Sequence, residues 1–149
     1  MKLKTLLPTA LAALTLALAP LAASAGDAKA RMLVIVTSPQ TETQAMALVL
    51  SNQAAKAGAE LHLMLCGPAG EIALKTPPAA AAEVVTPKGM SVLSLLKGLQ
   101  AKGATVDVCA IFLLNRKLGM DALADGVGVA KPPVIAAEMI DAGTRLATF

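Results

Sequence analysis

Aromatic side chains are nearly absent from this chain: there is no Trp and no Tyr, and Phe112 and Phe149 are its only Phe residues. The core therefore has to be packed with Leu, Val, Ile, Met and Ala. Charge is scarce as well, at 15% of residues. So few charges leave apolar surface to be covered, which points to burial between subunits. The chain lacks a glycine-rich phosphate loop, a G-x-S-x-G elbow, a C-x-x-C pair and an H-E-x-x-H helix. With His62 as the single histidine, a Ser-His-Asp site would have to use it, and no hydroxyl is obviously paired with it.

What is present begins with a leader. Lys2 and Lys4 precede an apolar run from Leu6 to Leu21, and Ala23-Ser24-Ala25 follows. A charged start, an apolar middle and an A-x-A end make a secretory signal peptide over 1–25, cut after Ala25. A membrane anchor fits less well, because prolines break the run and it falls short of the ~20 residues a span needs. No cysteine follows the cut, which argues against a lipid-anchored form. The mature chain, 26–149, is expected to be one soluble, periplasmic domain with no membrane segment left. Without Lys2 and Lys4 it carries 11 basic against 10 acidic side chains. That near-neutral balance argues against nucleic-acid binding, which wants a clustered basic face.

Hydrophobic patterning predicts alternating strands and helices. Arg31 to Thr37 is a short continuous apolar run, as in a strand buried on both faces, and Leu61 to Cys66 is the second strand, closed by Gly67-Pro68. Between them, Thr41 with Gln44 fits a capping box, Ala45, Leu48, Val49, Asn52 and Ala55 mark a helical face, and Gly58 stops the helix. From Gly67 to Gly89 the signal fades; a short helix and a flexible flap around Thr86-Pro87-Lys88-Gly89 are expected, since a bare loop of that length is uncommon. Ser91 caps a helix that Gly103 ends. The central strand runs from about Ala104 to Ile111, and a helix from Leu113 to Asp125, ended by Gly126 and Gly128. Lys131-Pro132-Pro133 opens another helix, and Thr144 to Phe149 forms a last strand. The expected fold is a three-layer α/β/α sandwich with a mainly parallel sheet of about five strands.

Chemistry rests on two cysteines, Cys66 and Cys109. In open parallel sheets ligands bind at the carboxyl ends of strands, and both cysteines lie at or near such ends. An exported chain meets an oxidising compartment, where paired cysteines become disulfides. Three readings stand side by side: a Cys66–Cys109 disulfide or redox pair, an independently reactive Cys109, and two inert core thiols. Cys109 precedes a helix, whose N-terminus stabilises a thiolate, and Arg116 early in that helix adds positive charge.

Val108-Cys109, with Arg116 seven residues after the cysteine, after Gly103 and before a helix leading to Gly126-Val127, resembles the DsrE/DsrF/TusD sulfur-relay family. The similarity covers most of the mature chain, from the first strand with its Ser/Pro/Gln turn to the segment Ala142 to Phe149. It implies a small α/β protein that assembles into trimers or hexamers. It also implies Cys109 as the position where some members accept sulfur as a persulfide, with a small-molecule or protein sulfur donor. The chain departs from the family pattern in three ways. Phe112 stands where many members have a second cysteine, Lys117 where a glycine commonly follows the arginine, and the leader removes the chain from the cytoplasm.

His62, Met64 and Cys66 share one strand face and are soft ligands suited to Cu(I), but Met and Cys also serve as plain core residues. No metal or other cofactor is expected. Two functional classes remain. One is a thiol-based sulfur carrier, sulfurtransferase or redox protein using Cys109 and Arg116. The other is a non-catalytic binding or accessory subunit that keeps the fold without the chemistry. The retained Cys109 and Arg116 favour the first, Phe112 the second.

Overall fold

A computed structural model describes residues 29–149. The expected leader and its cut after Ala25 lie outside the described residues. Five strands, β1 (Arg31–Val36), β2 (Glu60–Leu65), β3 (Thr105–Cys109), β4 (Val127–Ala130) and β5 (Thr144–Thr148), form one sheet in the order β4-β3-β2-β1-β5. Every pairing between these five strands is parallel. Helices α1 (Thr41–Lys56), α2 (Val92–Gln100), α3 (Ala110–Arg116) and α4 (Pro132–Ile140) connect the strands, with short 3-10 turns at Gly67–Ala73, Ala79–Ala82 and Met120–Ala122. The order reverses at β1, which pairs with β2 on one side and with the last strand, β5, on the other. The expected α/β sandwich with a parallel sheet is the observed fold.

The two faces of the sheet are covered unequally. On one face Val34, Val36, Leu63, Leu65, Val106 and Val108 pack against α1 and α2 residues such as Leu48, Leu95 and Leu99 in one large cluster. Leu63 and Leu65 are fully buried; truncating such a leucine to alanine costs about 2–5 kcal/mol. The opposite face has a small cluster, in which Leu33, Ala130 and Ile135 of α4 meet half-buried Ile35 and Met64. Nearby, Val134, Met139 and Ile140 of α4 and Leu146 of β5 are left exposed.

Local structure departs from sequence expectation in a few places, each with a physical cause. The Thr41/Gln44 capping box does not form, because the helix starts one residue earlier, with Gln40 at its N-cap. Gln44 is then one position past the box, and its Nε2 donates to Ser38 O at 2.8 Å instead. Ser91 does cap α2, with Ser94 completing a reciprocal box. The expected helix Leu113 to Asp125 is shorter and earlier. Here α3 ends at Arg116, where Lys117 takes the left-handed conformation at φ 53°. Residues 127–130, read from their glycines as a helix end, form the edge strand β4. A Cβ at Gly128 would push aside the Asp107 carboxylate on the neighbouring strand, the group that meets His62.

A candidate dithiol site at the ends of two strands

Parallel register brings the cysteines together. Leu65 of β2 is opposite Val108 of β3, so the next residues, Cys66 and Cys109, stand side by side at the carboxyl ends of adjacent strands. The structure joins them in a disulfide with Cα atoms 5.0 Å apart. Of the three readings open from sequence, it is the paired one that the geometry adopts. Both residues are half-buried.

The segments that leave the two cysteines are held to each other. After Cys66 the chain enters the 3-10 turn Gly67–Ala73, and after Cys109 it enters α3. Gly70 of the turn faces the Phe112 ring so closely that a Cβ there would come within 2.7 Å of ring carbons. The Arg116 guanidinium lies over the same ring, 4.8 Å from its centroid. Its Nε donates to Glu71 Oε1 at 3.0 Å. Phe112, which replaces the second cysteine of the C-x-x-C pattern, is thus a buried wedge between the turn and α3.

Arg116 is therefore engaged by Glu71 and Phe112. It ends α3, so its backbone lies about 10 Å along the helix axis from Cys109. The sequence brought Arg116 and Cys109 into one site; the structure brings Cys109 and Cys66 together and gives Arg116 to Glu71 and Phe112.

The polar cluster that sequence reasoning missed is on the same two strands, lower in the sheet. His62 Nε2 lies 3.1 Å from Asp107 Oδ2, and its Nδ1 lies 2.8 Å from Glu138 Oε2 of α4. The imidazole is a bridge between two carboxylates, only 14% exposed. The available signal was Asp107 itself, a charged residue inside the apolar strand Thr-Val-Asp-Val-Cys, which needs a partner when it is buried. With both ring nitrogens facing carboxylates and Cys66 in a disulfide, the soft-ligand trio His62, Met64 and Cys66 is not free to converge on an ion.

A second feature is a cavity of about 550 Å³ between α1, α2 and the segment around Val85 to Met90. Met46, Val49, Met90 and Leu95 give it an apolar wall, with Lys56 and Lys102 among the residues at its margin. The expected flap borders this cavity, whose lining includes neither cysteine.

Comparison with known proteins agrees with the architecture. The family described as the DsrE/DsrF-like family matches residues 30–149. Among solved structures, the YchN protein from E. coli superposes with a TM-score of 0.64 at 19% identity, over 82% of this chain and 100% of that one. The protein MTH1491 from Methanobacterium thermoautotrophicum, titled as a protein of unknown function, superposes with a TM-score of 0.60 at 12% identity, over 80% of this chain and 98% of that one. At these identities the likeness is one of fold. No curated protein matches the chain.

Proposed function

Because this chain belongs to the DsrE/DsrF-like family, we propose that it is an exported thiol protein that accepts sulfur as a persulfide on Cys109. The observation that carries this reading is the position of Cys109. It ends β3, is half-buried rather than sealed, and has its sulfur already in covalent exchange distance of a second cysteine. In the reduced chain, the Cys109 thiolate attacks the outer sulfur of a persulfide donor, RS–SH. The new bond is Cys109 Sγ–S, and the donor's S–S bond breaks. The donor leaves as a thiolate that takes up the proton, so the products are Cys109–S–S⁻ and RSH. The donor is a small molecule or a protein.

Export rests on the leader pattern that ends at Ala25, and N-terminal sequencing of the mature protein should begin at Gly26. Among the described residues no helix is long and apolar enough to cross a membrane. Assembly into a homo-oligomer, a trimer or hexamer, is supported by exposed Ile111 and Leu114 on α3 and by exposed Val134, Met139 and Ile140 on α4. Light scattering at micromolar concentration should give a multiple of the chain mass; a monomer mass removes that part of the reading.

Sulfur uptake is tested on the reduced, desalted protein with inorganic polysulfide, read by intact mass. A gain of one sulfur atom that maps to Cys109, transient or lasting, supports the carrier. The second reading, a binding or accessory subunit, is favoured by the cavity between α1 and α2, whose volume suits a small ligand. It becomes the better account if no cysteine takes up sulfur.

A further inference from the structure

We infer that Cys66 is the resolving thiol that discharges the persulfide on Cys109, releasing its sulfur as sulfide. The inference rests on the reading of Cys109 as sulfur acceptor and adds to it a second catalytic residue and the form in which the sulfur leaves. It starts from the fact that the two Sγ atoms are bonded with the strands in regular parallel register. Closure of the pair therefore needs no rearrangement of the sheet. Once Cys109 carries an extra sulfur, the atom within reach of Cys66 is the inner one, Cys109 Sγ.

The step balances as follows. The Cys66 thiolate attacks Cys109 Sγ of Cys109–S–SH. The Cys66 Sγ–Cys109 Sγ bond forms, the bond to the outer sulfur breaks, and that sulfur leaves with its proton as HS⁻. The two cysteine sulfurs are together oxidised by two electrons, and the outer sulfur is reduced by two, from sulfane to sulfide. In-line displacement places the leaving sulfur on the side of Cys109 away from Cys66. The chain is reset by thiol–disulfide exchange with a dithiol protein, which is oxidised in turn.

Two further observations make the intramolecular route fast. The turn after Cys66 and the helix after Cys109 are pinned to each other by Gly70 against Phe112 and by Glu71 with Arg116. These contacts do not involve the sulfurs, so they hold the thiols together after the disulfide opens. A nucleophile held in place in this way acts at a high effective concentration. Gly70, Glu71, Phe112 and Arg116 are positioning residues here, because none of them is the group that reacts.

The test compares the reduced wild-type chain with Cys66→Ser and Cys66→Ala, each exposed to inorganic polysulfide and freed of it by gel filtration. Intact mass and released sulfide are then followed in time. Circular dichroism of all three establishes that they are folded. The wild type should lose its extra sulfur, release one equivalent of sulfide and end as the disulfide. Both Cys66 variants should keep the extra sulfur on Cys109, losing it at least ~100-fold more slowly. A wild type that gains sulfur on Cys109 and keeps it as long as the variants do overturns the role of Cys66 and leaves the acceptor reading standing. Folded Cys66 variants that gain no sulfur overturn the acceptor reading, and this inference with it. The sulfide count needs only the wild type: sulfur uptake without sulfide release also contradicts the inference.

Discussion

Strands β2 and β3 carry two cross-strand pairs, and the contrast between them is instructive. Cys66 and Cys109 meet at the carboxyl ends, half-buried, joined by a bond that exchange can open and remake. His62 and Asp107 meet lower in the sheet, beneath α4, where Glu138 occupies the remaining ring nitrogen. The first pair has a partner it can trade. The second has a carboxylate against each ring nitrogen, and its service is to tie α4 to the sheet. A chemical group in a fold is available for reaction where its contacts can be exchanged, and it is structural where exchange would leave a buried charge alone.

The widest separation of the two pairs should appear in sulfur uptake. Cys109→Ser is expected to abolish sulfur uptake at that position and the sulfide that follows from it, whereas His62→Ala, if folded, should keep both. Equal loss in both would merge the two sites into one.

Opening the disulfide is the next largest effect. It closes a loop of 43 residues in sequence separation, and the chain-entropy estimate for such a loop is about 4 kcal/mol. Urea unfolding with and without reductant should differ by roughly that amount, less whatever strain relief the reduced state gains. No measurable difference would mean that the pair contributes nothing to the fold's stability.

His62→Ala leaves two poorly exposed carboxylates facing each other without their bridge. A loss of about 2–3 kcal/mol is expected, with no change in the reactivity of Cys109. A stability loss below ~0.5 kcal/mol would show that the bridge is solvated and does not hold α4.

A smaller effect belongs to Lys117. Its φ of 53° is the left-handed conformation in which side chains are strained. Lys117→Gly should stabilise by about 0.5–1 kcal/mol, the relief of strain exceeding the added freedom of the unfolded chain. Destabilisation would mean that the lysine side chain makes a contact of more value than the strain.

The smallest expected effect is at the edge of the sheet, outside both pairs. The Asp141 carboxyl is held below its ordinary pKa, first by the backbone N–H of Gly143 and then by Arg31. A group depressed in the folded state stabilises above its unfolded pKa and loses that stabilisation as pH falls through the folded value. Asp141→Asn should therefore flatten only the acid limb of the stability profile, slightly, since the residue is exposed. An unchanged acid limb would remove that contribution.

Much of the fold was legible from the residues. The short apolar stretches at Leu33 to Val36 and Leu61 to Leu65 were readable as strands, and Ser91 and Gly103 delimited a helix correctly. The edge strand β4 was hidden because Gly128 reads as a stop. Its lack of a side chain answers to Asp107 on another strand, a fact no local window contains. The departure from glycine at Lys117 was visible in the sequence, but its meaning needed the backbone angle. At the site, both cysteines were visible as strand-end residues. Their pairing depended on register between β2 and β3, which sequence leaves open. Arg116 looked like a partner for Cys109 because it follows in the chain; Glu71 and Phe112 claim it in space. The bridge at His62 required three elements, β2, β3 and α4, to meet, so a lone histidine gave no sign of it.

The claim that the cysteine pair is exchangeable, unlike its neighbour on the same strands, is tested most directly by alkylation in the folded state. The native protein is incubated with a mild dithiol reductant and iodoacetamide, while circular dichroism follows the fold. The expected result is modification of both Cys66 and Cys109 with the helical and strand signal intact. Modification that proceeds only in step with unfolding would contradict the account, because the disulfide would then be a structural cross-link.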